Sequence, residues 1–355
     1  MANQTVTNFL TLPVELVYRI MDHQSDFTII CSMKNTLTTL DLEHHHIGSV
    51  RAKALGVALQ QNTTLITLHL GDNRIGDRGA QSLSRALHQN TTLITLHLTK
   101  TEIGDLGAQS LGDALKHNTT LTTLHLEDNH IGDIGAQSLG STLKHNTTLI
   151  ALHLAKNKIG DLGAQSLGDG LRHNATLTTL SLKYNSNKGI RSQSLLDTLK
   201  NSGLFNTSDL EYNGIGDIGA QSLGVALQYN TTLTTLDLES NSIGDVGAQS
   251  LGDGLQHNTR LITVHLAKNK IGDVGAQSLG VALQYNTALT RLDLCGGEIG
   301  DVGAKALGSA LQHNRTLIEL DLNRNKIGDV GAQSLGSGLQ YNTVAFIVSL
   351  SIPCL

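Results

Sequence analysis

The residues best equipped for chemistry in this sequence are histidines, and they recur. His69, His97, His125 and His153 stand 28 positions apart, each between two leucines, so one structural site is presented four times. Imidazole ligates zinc, copper and nickel, and with an unperturbed pKa of about 6.5 it also takes up a proton near neutrality. Ligands strung along one line do not surround an ion, and Glu127 is the only obvious carboxylate nearby, so a metal-binding histidine surface stands here as an alternative and no residue is assigned as a ligand. The expectation for His69, His97, His125 and His153 is a pH-sensitive lane in which each proton opposes the next. A second series, His117, His145, His173, His257 and His313, falls just before an asparagine at the end of a helical pattern. There a cation would complement the helix dipole.

Catalytic motifs are missing. Neither G-x-x-x-x-G-K-[ST], H-E-x-x-H nor G-x-S-x-G occurs, and each Asp, His or Ser that could join a catalytic group has equivalents elsewhere in the chain. A chain that is not an enzyme and needs no cofactor is expected.

The elements that must position these side chains come from one sentence written many times. The stretch NTTLITLHLGDNRIGDRGAQSLSRALHQ, residues 62–89, is followed by near copies of itself. Leu37, Leu65, Leu93, Leu121, Leu149, Leu177, Phe205, Leu233, Leu261, Leu289 and Leu317 mark eleven units in a strict 28-residue register. In each, L-x-x-L-x-L alternates at strand period, as at Leu65, Leu68 and Leu70 with Thr67 and His69 between them, which predicts a short strand with one buried face. Ala80, Leu83 and Leu87 then fall at helical spacing, with Asp77 as the expected cap of that helix. Between strand and helix, Asn73 carries a side chain able to satisfy backbone groups left unpaired by the turn. A second glycine recurs inside the helix, at Gly112, Gly140, Gly224 and Gly308 among others. Each costs roughly 1 kcal/mol against alanine, and close approach of neighbouring helices is the expected return.

A strand and helix of this size cannot bury a core alone, so equal units must stack their strands into a parallel sheet with helices outside. The pattern L-x-x-L-x-L-x-x-N-x-I-x-x-x-G-A-x-x-L at this period resembles the ribonuclease-inhibitor class of leucine-rich repeats, also found in NOD-like receptors, over residues 37 to about 350. Asn stands at the turn in eight units, with His45, Thr101 and Gly297 as the exceptions. The resemblance implies an α/β leucine-rich-repeat solenoid, a horseshoe with the parallel sheet on its concave face and helices on the convex face. Fold does not fix function.

The start of the chain is different. Leu12, Pro13, Glu15, Leu16 and Ile20 resemble the opening of an F-box, which implies docking on a ubiquitin-ligase adaptor, with the repeats choosing the substrate. Read from its residues alone, the segment from about Val14 to His23 is an amphipathic helix covering the open end of the solenoid. The expected organisation is a cap over residues 1–36 and a repeat domain over 37–355, with eleven units and an incomplete twelfth in the apolar tail VAFIVSLSIPCL.

Composition narrows the partners. A net charge of −5 without basic clusters argues against nucleic acid, and no 18-residue apolar run calls for a membrane. Cys31, Cys295 and Cys354 form no C-x-x-C pair, which fits a reducing, cytoplasmic setting. N-x-[ST] sequons at Asn62, Asn90, Asn118 and Asn146 are then products of repetition. The outward site between the second and third leucines runs Asp41, His69, His97, His125, His153, Ser181, Asp209, Asp237, His265, Asp293 and Asp321. It has a histidine stretch and an acidic stretch. Residues 183–208 keep the repeat length but lose its Ile and Gly-Ala pair, and Tyr184, within them, and Tyr212, just after them, occupy equivalent sites in consecutive units. In a chain with six tyrosines, four phenylalanines and no tryptophan, two adjacent surface tyrosines read as interface anchors. The expected surface for a protein partner bearing a basic patch is Lys183, Tyr184, Asp209, Glu211, Tyr212, Asp237 and Glu239.

Overall fold

The computed structural model describes residues 7–8, 37–185, 207–342 and 347–350. They fall in two compact units, Met1–Leu180 and Ser181–Leu355. The F-box-like residues Leu12, Pro13, Glu15, Leu16 and Ile20, the helix expected over 14–23 and most of the irregular stretch 183–208 lie outside the described residues.

The first unit alternates short strands and helices: β1 (Thr7–Asn8), β2 (Thr39–Asp41), α1 (Ser49–Gln61), β3 (Thr67–His69), α2 (Gly76–Leu87), β4 (Thr95–His97), α3 (Asp105–Leu115), β5 (Thr123–His125), α4 (Asp133–Leu143), β6 (Ala151–His153) and α5 (Asp161–Leu171). β7 (Thr179–Ser181) spans the division. The second unit repeats the scheme with β8 (Thr207–Asp209), α6 (Gly216–Leu227), β9 (Thr235–Asp237), α7 (Asp245–His257), β10 (Thr263–His265), α8 (Asp273–Tyr285), β11 (Arg291–Asp293), α9 (Asp301–Leu311), β12 (Glu319–Asp321), α10 (Asp329–Leu339) and β13 (Ile347–Ser349). Within each unit consecutive strands pair in parallel and in register, as in Thr67↔Thr95, Leu68↔Leu96 and His69↔His97. The apolar tail supplies β13, paired with β12. This is the expected leucine-rich-repeat solenoid of alternating parallel strands and helices. Leu65, Leu68 and Leu70 of the strand segment, and Ala80, Leu83 and Leu87 of α2, are buried against one another. The binary pattern thus does what its periods predict.

Hydrogen bonds between units explain the polar letters of the repeat. Asn73 Nδ2 donates to the carbonyls of Leu70 and Gly71 in its own turn and of Leu42 in the preceding unit, while its Oδ1 accepts the N–H of Ile47. Asn129, Asn157, Asn269 and Asn325 repeat this bridge. Buried backbone groups must find partners, and one amide side chain satisfies four of them. Thr101, an exception in the pattern, recovers part of it by donating to the Leu98 carbonyl at 2.7 Å.

The sequon asparagines form a second ladder. Asn90 is only 3% exposed, and its Nδ2 donates to Leu59 and Asn62 carbonyls while its Oδ1 accepts from Thr92 and Leu93. The nitrogen that would carry a glycan is therefore committed inside the fold.

The capping role expected of Asp77 needs correction. Asp77 lies in the first turn of α2, but its Oδ1 accepts the N–H groups of Gly104 and Gly107, at 2.7 and 2.9 Å, where the next helix begins. Asp105, Asp133, Asp217, Asp245, Asp273 and Asp301 do the same for their successors. The N-termini of α3, α4, α5, α7, α8, α9 and α10 thus each receive a carboxylate from the unit before. Close approach of helices is also confirmed: a methyl group placed on Gly140 would strike the backbone carbonyl of Ser166.

Candidate functional site

The sheet face carries two lanes of side chains, one in each unit. In the first, parallel register sets His69, His97, His125 and His153 side by side. Their rings stack nearly parallel, with centroids 4.2, 4.1 and 4.4 Å apart in succession. Burial, followed by the charges of His125 and His69 on either side, pushes His97 down to about 4, so this member stays neutral through pH 6.

Glu127, two residues after His125, returns to the same face by strand alternation. Its Oε1 lies 3.0 Å from His125 Nδ1 and 3.9 Å from His153 Nδ1, and its Oε2 accepts from Thr99 Oγ1 at 2.9 Å. Burial alone would raise this carboxyl, but the hydrogen bonds from His125, from its own backbone and from Thr99 hold it below the usual range.

In the second unit the sheet face turns acidic and aromatic. Tyr184 and Tyr212, 28 positions apart, stack with centroids 4.6 Å apart and planes 16° from parallel. They stand 39% and 46% exposed. Both occupy the left-handed region, with φ of 59° and 57°, at a turn position where Lys156, Lys268 and Arg324 do likewise and Gly296 is the residue best suited. Tyr184 donates its hydroxyl to Glu211 Oε1 at 2.8 Å, and the Lys183 ammonium pairs with Glu211 Oε2 and sits 5.6 Å from the Tyr184 ring centre. Burial would raise Glu211, yet Lys183 and Tyr184 together hold it low, while Glu211 raises Lys183 in return.

The structure brings Lys183, Tyr184, Glu211 and Tyr212 into one contact group and gives the glutamates a different part from the one expected. Glu211 is only 7% exposed and fully engaged with its neighbours, so it positions Lys183 and Tyr184 instead of presenting free charge. Glu239 is paired with Lys268 at 2.6 Å. Asp209 and Asp237 are partly exposed, with Asp209 Oδ2 accepting from Ser181 Oγ at 3.3 Å and Asp237 Oδ1 accepting the N–H of Glu239 at 3.0 Å, and burial followed by the nearby Asp209 and Glu211 raises Asp237. Further along, His265 and Asp293 approach to 3.7 Å; the aspartate raises the histidine, and the histidine, against burial, lowers the aspartate. Of the second histidine series, His257 lies in the last turn of α7, while His117, His145, His173 and His313 lie two residues beyond the ends of α3, α4, α5 and α9.

Sequence reasoning noted Glu127 beside the lane but not that it makes a triangle with His125 and His153, and it missed the inter-unit aspartate caps. The first was legible in the i, i+2 spacing of His125 and Glu127. The second had no local signal. Among the described residues, no helix is long and apolar enough to cross a membrane.

Comparisons with known proteins agree with this architecture. The TMOD/LMOD leucine-rich domain matches residues 73–192, and the leucine-rich repeat matches residues 34–56, 61–84, 209–224, 229–252, 257–280, 285–308 and 313–336. Among solved structures, an internalin from Listeria monocytogenes is similar at 20% identity and a TM-score of 0.55, over 95% of this chain and 88% of that one. Actin-binding site 2 of leiomodin-1 is similar at 23% identity and a TM-score of 0.34, over 45% of this chain and 87% of that one. Among curated proteins none matches.

Proposed function

Since this chain is a leucine-rich-repeat protein, we propose that it works as a cytoplasmic, non-catalytic protein-binding scaffold whose sheet face seats a partner on the Tyr184–Tyr212 stack. The stack itself carries this reading. Two exposed aromatic rings held 4.6 Å apart, one of them fixed by the Glu211 carboxylate, form a rigid apolar platform in a surface whose neighbouring side chains are polar or charged. Aromatic side chains pre-organised in this way lose little entropy on binding, which is why they dominate interface energetics. Asp209 and Asp237 flank the platform and favour a partner with a basic patch, which they would steer into register. Lys183, Glu211 and Glu239 support the platform from below or beside it.

The test is the affinity of an identified partner for the full chain and for Y184A/Y212A. A hot-spot pair of this kind accounts for at least about 2 kcal/mol, so the double variant should bind about thirtyfold more weakly or worse. Equal affinity would remove the platform from the interface. A chain lacking residues 1–34 separates the rival role as a ubiquitin-ligase substrate receptor through Leu12, Pro13, Glu15, Leu16 and Ile20. Ligase adaptor recovered only with the full chain supports that rival, and the same partner bound by both places recognition in the repeats.

A further inference from the structure

Duplication explains a ladder of histidines, because a repeated codon brings its side chain with it. It does not explain the pairing of Glu127 with a histidine. Glutamate recurs at this repeat position as Glu43, Glu211 and Glu239, but the residues there in the units carrying His69, His97, His153 and His265 are Gly71, Thr99, Ala155 and Ala267, so His125 is the one lane histidine followed two places on by a carboxylate. Glu127 thus stands where it alters the chemistry of its neighbours.

Line geometry was the objection to a metal in this lane, and Glu127 removes it. His125 and Glu127 come from one strand and its continuation, two residues apart on the same face, while His153 is the register partner of His125 on the adjacent strand. The three form a triangle and not a row. Their donor atoms all lie within 4.8 Å of one another, with Glu127 Oε1 3.0 Å from His125 Nδ1 and 3.9 Å from His153 Nδ1. Donors held about 2.1 Å from a tetrahedral zinc are about 3.4 Å apart, so the two carboxylate–imidazole separations bracket the required one, and rotation of the stacked His125 and His153 rings aims both Nδ1 lone pairs at one ion. The carboxylate is also oriented from outside, since Thr99 Oγ1 donates to the oxygen that faces away from the imidazoles. Outer hydrogen bonds of this kind fix ligand geometry in metal sites. The side chains are 21%, 24% and 25% exposed, open enough for an ion to enter and for water to complete its coordination.

We propose that His125, His153 and Glu127 form a binding site for a first-row divalent transition-metal cation, ligated through the two Nδ1 atoms and Glu127 Oε1. Two imidazoles and one carboxylate suit zinc, nickel or copper and disfavour calcium or magnesium, which seek all-oxygen shells. On binding, the cation takes the place of the hydrogen bond between His125 Nδ1 and Glu127 Oε1. The site stands apart from the tyrosine platform and does not depend on it.

Titration calorimetry of the chelator-treated full chain with zinc sulphate, at neutral pH, tests this. One saturable site is expected, with H125N, E127Q and H153N each weakening it at least tenfold, and T99V, which keeps all three ligands, weakening it by about ten- to a hundredfold. Substituting cobalt should give the visible absorption of a four-coordinate ion, lost in H125N/H153N. Two controls guard against histidine-rich surface binding: H69N, in the same lane, and H44N/H46N, in the run His44-His45-His46. Both should leave the site intact, and circular dichroism checks that every variant folds. No zinc bound by the wild-type chain, uptake unchanged in H125N/H153N, or a loss in H69N or H44N/H46N equal to that in H153N would each overturn the proposal.

Discussion

Replacing Asp105 with alanine should damage a helix to which Asp105 does not belong. Its Oδ1 accepts the N–H groups of Gly132 at 2.7 Å and Gly135 at 2.8 Å, and Gly132, which caps α4, has no side chain of its own to offer. Loss of an N-cap costs about 0.5–2 kcal/mol, and hydrogen bonds to a charged group lie at the strong end of the range. Asp105 also opens α3, where its charge favours that helix's own dipole by about 0.3–1 kcal/mol. Together the D105A variant should lose about 2–3 kcal/mol in urea unfolding, and D105N, which keeps an acceptor oxygen but not the charge, about 1 kcal/mol. Amide hydrogen exchange locates the damage. Protection should fall at Gly132 and Gly135, one unit downstream. Unchanged protection there, with loss confined to the first turn of α3, would refute the idea that the carboxylate works between units.

Two further perturbations follow from packing and charge. Gly140→Ala drives a methyl into the Ser166 carbonyl and should destabilise by about 1–3 kcal/mol despite the gain in helix propensity, whereas Gly336→Ala, with nothing within 4 Å of the new methyl, should stabilise by up to about 1 kcal/mol. Thermal melts that shift in the same direction for both would contradict the close-approach argument. His97 is neutral in the folded chain down to about 4 but takes a proton near 6.5 when unfolded, so between those values the unfolded state binds more protons and stability falls as pH falls. The wild type should therefore lose up to about 3 kcal/mol more than H97Q between pH 6.5 and pH 4; parallel stability curves for the two would show that His97 carries no such strain.

Much of this was legible in the letters. Leu65, Leu68 and Leu70 announce a strand, Ala80, Leu83 and Leu87 a helix, and the 28-residue spacing sets His125 beside His153 and Tyr184 beside Tyr212 without any knowledge of coordinates. The limit was set by the repetition itself. A strictly periodic sequence reveals what a residue does but not for which copy, so an aspartate one step inside its own helix and a whole unit away from the next looks like a local cap. The same ambiguity hid the backward reach of Asn73 to Leu42. Glu211 failed to show its character for another reason. Whether a carboxylate faces solvent or a lysine depends on side-chain direction, and Lys183 folds back over it.

The two ladders and the aspartate bridges also bear on how such a chain lengthens. Asn73 reaches back to the preceding unit and Asp77 forward to the following one, so no unit is chemically complete alone, yet every bond spans a fixed separation of close to 28 positions. Copying 28 consecutive residues from units that carry the asparagine and the aspartate, wherever the copy begins, keeps donors and acceptors in phase; adding or losing a single residue puts those on both sides of the change out of phase. Recombination between near-identical units slips by whole periods, so the errors most common in a repetitive gene are the ones this hydrogen-bond pattern absorbs.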